Sequence, residues 1–199
     1  SARRAPSKWR SEQPATNDPV RDGNESCGGG VWGRSGAAPP QDRIALTKPL
    51  TVICIGDVFG EPGRKAVHAL LPRLRKQHEA DLAIVNVENA ASGFGVTPLI
   101  ARTFLEHGVD VMTSGNHIWD KKEIIEYIGK ENLLLRPANF PAGTPGVGHV
   151  TVKAGPHKVA VLNLMGRVFM LPIDCPFQKA EEIVPELRKD TPIIIVDMH

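Results

Sequence analysis

Leu50-Thr51-Val52-Ile53-Cys54-Ile55-Gly56-Asp57 decides how this chain is read. An apolar, largely β-branched run gives way at once to a glycine and an acid. Such a run predicts a strand covered on both faces and ending in a loop. The same pattern recurs. Leu82–Val87 ends in Glu88-Asn89, Val109–Thr113 ends in Ser114-Gly115-Asn116-His117, and Pro192–Val196 ends in Asp197-Met198-His199. Helical patterns lie between these runs. Pro62 suits a first helical turn, and Val67, Leu70, Leu71 and Leu74 form an apolar stripe in which Pro72 predicts a kink. Thr97-Pro98 caps a helix that runs to about His107 and stops at Gly108. Short helices are expected over Lys121–Ile128 and Ala180–Leu187. Gly155-Pro156 joins two further runs, Val147–Lys153 and Lys158–Leu164, as a hairpin. Strands alternating with helices predict an α/β layered fold.

The composition is that of a globular domain, with 41% hydrophobic and 23% charged residues among 199. No apolar run is long enough to span a bilayer. Residues 1–48 differ from the rest. They hold 8 Lys/Arg against 5 Asp/Glu, so the excess positive charge of the chain sits there and the rest is slightly acidic. Cys27-Gly28-Gly29-Gly30 and Pro39-Pro40 break any period, which predicts a disordered low-complexity extension before a domain over 50–199. The acids in this extension argue against a transit peptide. Cys27, Cys54 and Cys175 form no paired motif, which points to a reducing, cytoplasmic setting. Cys54 is expected to be buried within its apolar run. The Asn24-Glu25-Ser26 sequon carries no weight there.

The chemistry lies just beyond the strand ends. Asp57, Glu88, Asn89, Asn116, His117 and His199 all occupy such positions, and in open α/β sheets the strand ends line the ligand crevice. Carboxylate, amide and imidazole donors without thiolate suit divalent transition metals. Two such ions about 3.5–4 Å apart can clamp a phosphate, activate a water and stabilise a leaving oxygen. Taken singly, each residue has a plainer reading. Asp57 could cap a helix, and Asn89 and Asn116 could form turns. Glu88 is harder to set aside, because a charge beside a buried strand is costly unless paired. His68, His78, His107, His149 and His157 read as surface or structural residues. The glycines after Gly56 lack the Gly-Lys-Ser/Thr ending of a phosphate loop, and Gly93-Phe94-Gly95 lacks the third glycine of a dinucleotide fingerprint.

Gly56-Asp57, Glu88-Asn89 and Gly115-Asn116-His117 resemble the first three motifs of calcineurin-like metallophosphoesterases. The longer strings "IGDVFGEPGR", "VNVENAASGFGVT" and "TSGNHIWDKKEI" are similar to the YmdB-type phosphodiesterases of bacteria, from about residue 51 to 199. The resemblance implies a four-layer α-β-β-α sandwich with two metal ions, iron or manganese, and hydrolysis of phosphodiesters such as 2′,3′-cyclic nucleotides. It makes Asp57 a ligand of the first metal, Glu88 a bridge between both, and Asn89, Asn116 and His199 ligands of the second. His117 becomes the proton donor. Asp57-Val58-Phe59 stands where the broad superfamily has Asp-x-His, and Glu88 where it has Asp. Both departures agree with the narrower family. That family continues to a Gly-x-His-x-His segment with two more ligands, which would follow His199. The sandwich is therefore expected to be incomplete at its C-terminal side, with an open sheet edge and weak or no activity in these 199 residues.

Two other classes stay open on sequence alone. One is a regulatory protein that binds a nucleotide or metal without turnover. The other is nucleic-acid binding through the Arg-bearing extension, which lacks the dense basic block and interleaved aromatics such binding uses. The expected partner is a small phosphodiester or cyclic nucleotide, with no membrane, and homo-oligomers are allowed.

Overall fold

The structure, a computed structural model, describes residues 48–199. The expected extension over 1–48, with Cys27 and the Asn24 sequon, falls outside the described residues apart from Lys48. Six strands form two three-stranded sheets. In the first, β1 (Val52–Ile55), β2 (Leu82–Asn86) and β3 (Val111–Thr113) are parallel, with β2 central. Every residue of β2 is buried, which is why it reads as an apolar run with Asn86 alone as a polar member. In the second, β4 (His149–Ala154) and β5 (His157–Leu164) form the expected antiparallel hairpin, and β6 (Ile193–Met198) pairs parallel to β5. Four helices complete the fold: α1 (Gly60–His78), α2 (Pro98–Glu106), α3 (Ile124–Ile128) and α4 (Pro176–Asp190).

Alternation along the strands divides the core into layers. Ile84 and Val111 of the first sheet share a cluster with Val159 and Val161 of the second, joined by Val52, Val152 and Ile195. The other face of the first sheet sets Ala83, Val85 and Met112 among Val67 and Leu71 of α1 and Ala101 and Phe104 of α2. The outer face of the second sheet sets Ala160 and Leu162 against Leu187, Ile183 and Val184 of α4. The order is helix, sheet, sheet, helix. A fully buried side chain such as Phe104 or Leu71 contributes about 1.5–3 kcal/mol. Among the described residues, no helix is long and apolar enough to cross a membrane.

Local details follow from particular residues. Thr97 caps α2, its hydroxyl accepting from the Ile100 N–H at 3.3 Å. The helix α1 runs through Pro72 to His78. Cys54 overturns the expectation of burial: it is exposed. Its side of β1 faces β6 across a cavity of about 300 Å³ lined also by Ile84, Ile195 and Asp197, which opens at the edge of both sheets. Partial desolvation of the thiol by the surrounding chain, then the charge of Asp197, pushes its pKa up. Among the described residues β6 is an edge strand, and Val196 and Met198 on it are exposed.

Two polar ties lock the sheets together where the site lies. Asn163, fully buried in β5, accepts from the Ser114 N–H at 3.1 Å and donates to the Ser114 carbonyl at 2.8 Å. The Thr113 hydroxyl donates to Asp197 of β6. A third polar cluster joins α1 to α2. His68 stacks on His107 with ring centroids 4.2 Å apart and meets Phe104 edge-on. Burial first, then the charges of His107 and Arg64, holds the His68 pKa below its ordinary value.

Asn163→Ala strands both main-chain groups of Ser114 in the interior. It should lower unfolding free energy by about 2–4 kcal/mol, read from urea denaturation. The folded state also favours neutral His68. That contribution is intact above the ordinary imidazole pKa of about 6.5 and is lost as pH falls from there toward the lower folded-state value. The urea midpoint of His68→Leu should therefore drop less between pH 7 and pH 5 than that of the wild type.

Candidate metal centre

Four strand tips deliver polar groups to one edge of the sandwich. Asp57 follows β1, Glu88 and Asn89 follow β2, and Asn116 opens a short 3-10 helix, Asn116–Trp119, after β3. His199 extends the β6 ladder. Its N–H donates to the Leu164 carbonyl at 2.9 Å, and its carbonyl accepts from the Gly166 N–H at 2.8 Å. The imidazole is thus carried on a backbone tied through both its N–H and its carbonyl to the segment that continues β5.

Glu88 is only 1% exposed, so its carboxylate needs partners. It finds the Nε2 of His199 at 3.0 Å and the main-chain N–H of His117 at 3.1 Å. The same Nε2 lies 3.1 Å from Asn116 Oδ1. The hydrogen bond to Glu88 pushes the His199 pKa above the usual imidazole value. Burial opposes this, while the charges of Glu88, Asp197 and Asp57 reinforce it.

Asn89 belongs to a second group. Its amide nitrogen donates to both oxygens of Asp57, each at 2.9 Å. This orientation turns Asn89 Oδ1 inward, buried and without a hydrogen-bond partner. His117 joins the cluster through its backbone only. Its Nδ1 lies 2.7 Å from Asp120 Oδ2, and Phe94 packs edge-on against the ring with centroids 5.1 Å apart. That geometry commits Nδ1 and leaves Nε2 for other partners.

The structure therefore brings all six candidates to one edge, as an Asp57–Asn89 pair beside a Glu88–His199–Asn116 group, with the His117 ring turned toward Asp120. The two amides stand among the charged groups. Among the described residues, no three His, Cys, Asp or Glu side chains alone gather as a metal-holding set. Sequence reading missed Asp120, although its position three residues after His117 places it within reach on a tight turn. It missed Asn163 as well, where an amide inside an apolar strand was the available signal. It also gave Gly115 no role of its own. A Cβ there would fall 2.2 Å from His199 Cδ2 and 2.5 Å from Glu88 Oε2, so only glycine lets these side chains meet.

The family model described as YmdB-like protein matches residues 53–199. The chain belongs to the YmdB-like family. This YmdB-like chain is 47% identical over 150 residues to the 2′,3′-cyclic-nucleotide 2′-phosphodiesterase of Bacillus subtilis (strain 168), covering 75% of the chain and 57% of that relative. A crystal structure of a hypothetical protein from Thermus thermophilus superposes with a TM-score of 0.69 at 39% identity, over 74% of this chain and 57% of the other. A novel phosphatase from Mycoplasma pneumoniae gives 0.69 at 31% identity, over 75% and 55%. The chain spans about half the length of the curated relatives it matches. The expected α/β fold is thus shared with these two solved structures.

Gly115→Ala should force Glu88 and His199 apart, at a cost of about 1–3 kcal/mol in unfolding free energy. Solving the variant's structure checks the displacement directly, since the 3.0 Å contact should be gone.

Proposed function

We propose that the full-length protein is a metal-dependent phosphodiesterase acting on 2′,3′-cyclic nucleotides. The observation that carries this is the buried carboxylate of Glu88 beside the unpartnered, buried amide oxygen of Asn89. An orphaned oxygen in the interior is costly, and a cation is the partner such an oxygen lacks. The neighbouring donors are carboxylates, an amide and one imidazole, a set that fits manganese or iron. The similarity to a 2′,3′-cyclic-nucleotide 2′-phosphodiesterase supports the substrate class.

In this reading Asp57 would hold one ion, Glu88 would serve both, and Asn89, Asn116 and His199 would hold the second. When bound, such a pair draws in a phosphate and activates water. The remaining work falls to the chain's own groups. His117 carries a proton at Nε2 and delivers it to the departing ribose oxygen. Asp120, at 2.7 Å from Nδ1, fixes the ring's orientation and leaves Nε2 to face the substrate. Glu88 also accepts the His117 N–H, so the donor and the metal edge keep a fixed relation. We read the protein as cytoplasmic, in keeping with free Cys54 and Cys175. The exposed Val168, Phe169 and Leu171 accord with a homo-oligomer.

In the full-length protein, His117→Ala should lower kcat on 2′,3′-cyclic AMP by about 10²–10⁴-fold with little change in KM. Asp120→Asn should lower it less. Chelation should abolish turnover, and added Mn²⁺ or Fe²⁺ should restore it. Undiminished hydrolysis by His117→Ala would remove the proposed acid. Nucleotide binding without any turnover would make the protein a regulator instead.

A further inference from the structure

Two large apolar side chains are exposed beside the site on adjacent loops. Phe59 is 61% exposed and lies two residues after Asp57, and Phe94 is 55% exposed and lies five after Asn89. The loops are bonded to each other, since the N–H groups of Gly60 and Gly93 both donate to the Asn89 carbonyl, at 2.9 and 3.1 Å. Phe59 lies over Gly93, whose φ is +95°. A Cβ there would come within 2.7 Å of the Phe59 ring, so glycine makes room for it. Phe94 stands against His117 at 5.1 Å between centroids. A lone exposed phenylalanine needs no explanation, but two on bonded loops at the rim of a polar site form a shaped apolar surface.

We propose that Phe59 and Phe94 form the nucleobase platform of this site, with purines favoured. The inference rests on the phosphodiesterase reading above. A cyclic nucleotide whose departing ribose oxygen faces His117 Nε2 carries its base one ribose away. Phe94, one ring away from that imidazole, is on the same scale. Every base has a π-face, and stacking on aromatic side chains is sequence-tolerant, stronger for the larger ring system. The metal-side groups of the site, by contrast, are all carboxylate, amide and imidazole, so they can hold the phosphate but offer no apolar face to a base. Specificity for a nucleotide over a bare cyclic phosphate would then reside in these two rings.

The test compares two substrates of the full-length, metal-loaded protein: 2′,3′-cyclic AMP and the 2,3-cyclic phosphate of 1-O-methylribose, which has no base. Phe94→Ala should lower the ratio of kcat/KM between them by roughly 5- to 100-fold, and Phe59→Ala should lower it in the same direction. Taking the ratio cancels any change in how His117 is held. Phe94→Trp should keep the wild-type preference. A second readout needs no turnover: adenosine, which lacks phosphate, should inhibit the wild type competitively and lose affinity in both alanine variants. A ratio unchanged within about twofold in both folded variants would overturn the platform while leaving the phosphodiesterase reading intact. Failure of the wild type to cleave either substrate would overturn that reading and the platform with it.

Discussion

A carboxylate sealed in the protein interior organises this edge of the molecule. Glu88 sits at the tip of a central strand that is buried along its whole length, where an unpaired charge would cost several kcal/mol. Its partners come from two other chain segments: the main chain after β3 and the imidazole after β6. The second sheet must therefore be docked, and docked in register, before Glu88 is satisfied. The Ser114–Asn163 and Thr113–Asp197 bonds serve that registry, since both cross between the sheets next to the site. Glycine at 115 is the steric counterpart of the same requirement, because two side chains occupy the space any larger residue would claim.

Much of the architecture was legible in the sequence. Predominantly apolar runs such as Leu82–Val87 marked buried strands, and the Thr97-Pro98 cap marked the start of α2 to the residue. The candidate residues were legible too, because polar groups directly after such runs have few places to go. Contacts made across long stretches of sequence were not legible. Nothing local to Asn163 indicates that it faces Ser114, and nothing near Cys54 shows that its face of the sheet opens at the β1–β6 edge. Strand periodicity reports how a residue alternates, and it cannot tell a covered edge from an uncovered one.

The site also illustrates a division of labour between backbone and side chain. His199 and His117 are both placed by main-chain hydrogen bonds, one on a strand ladder and one through the Glu88 carboxylate. Their rings differ in freedom. The His199 ring is held among Glu88 and Asn116, whereas the His117 ring looks outward between Asp120 and Phe94. Under the proposed function, a donor set would need the first arrangement, and a group that exchanges protons with a passing substrate would need the second.

The order of these parts along the chain has a consequence for biosynthesis. Asp57 and Glu88 leave the ribosome long before His199, and the Asn116–His199 contact alone closes a separation of 83 residues. Nascent chains fold local contacts first, and long-range closure comes late. Until His199 has emerged, Glu88 must therefore remain hydrated on an unfinished surface. Its desolvation marks the moment at which the two sheets have met.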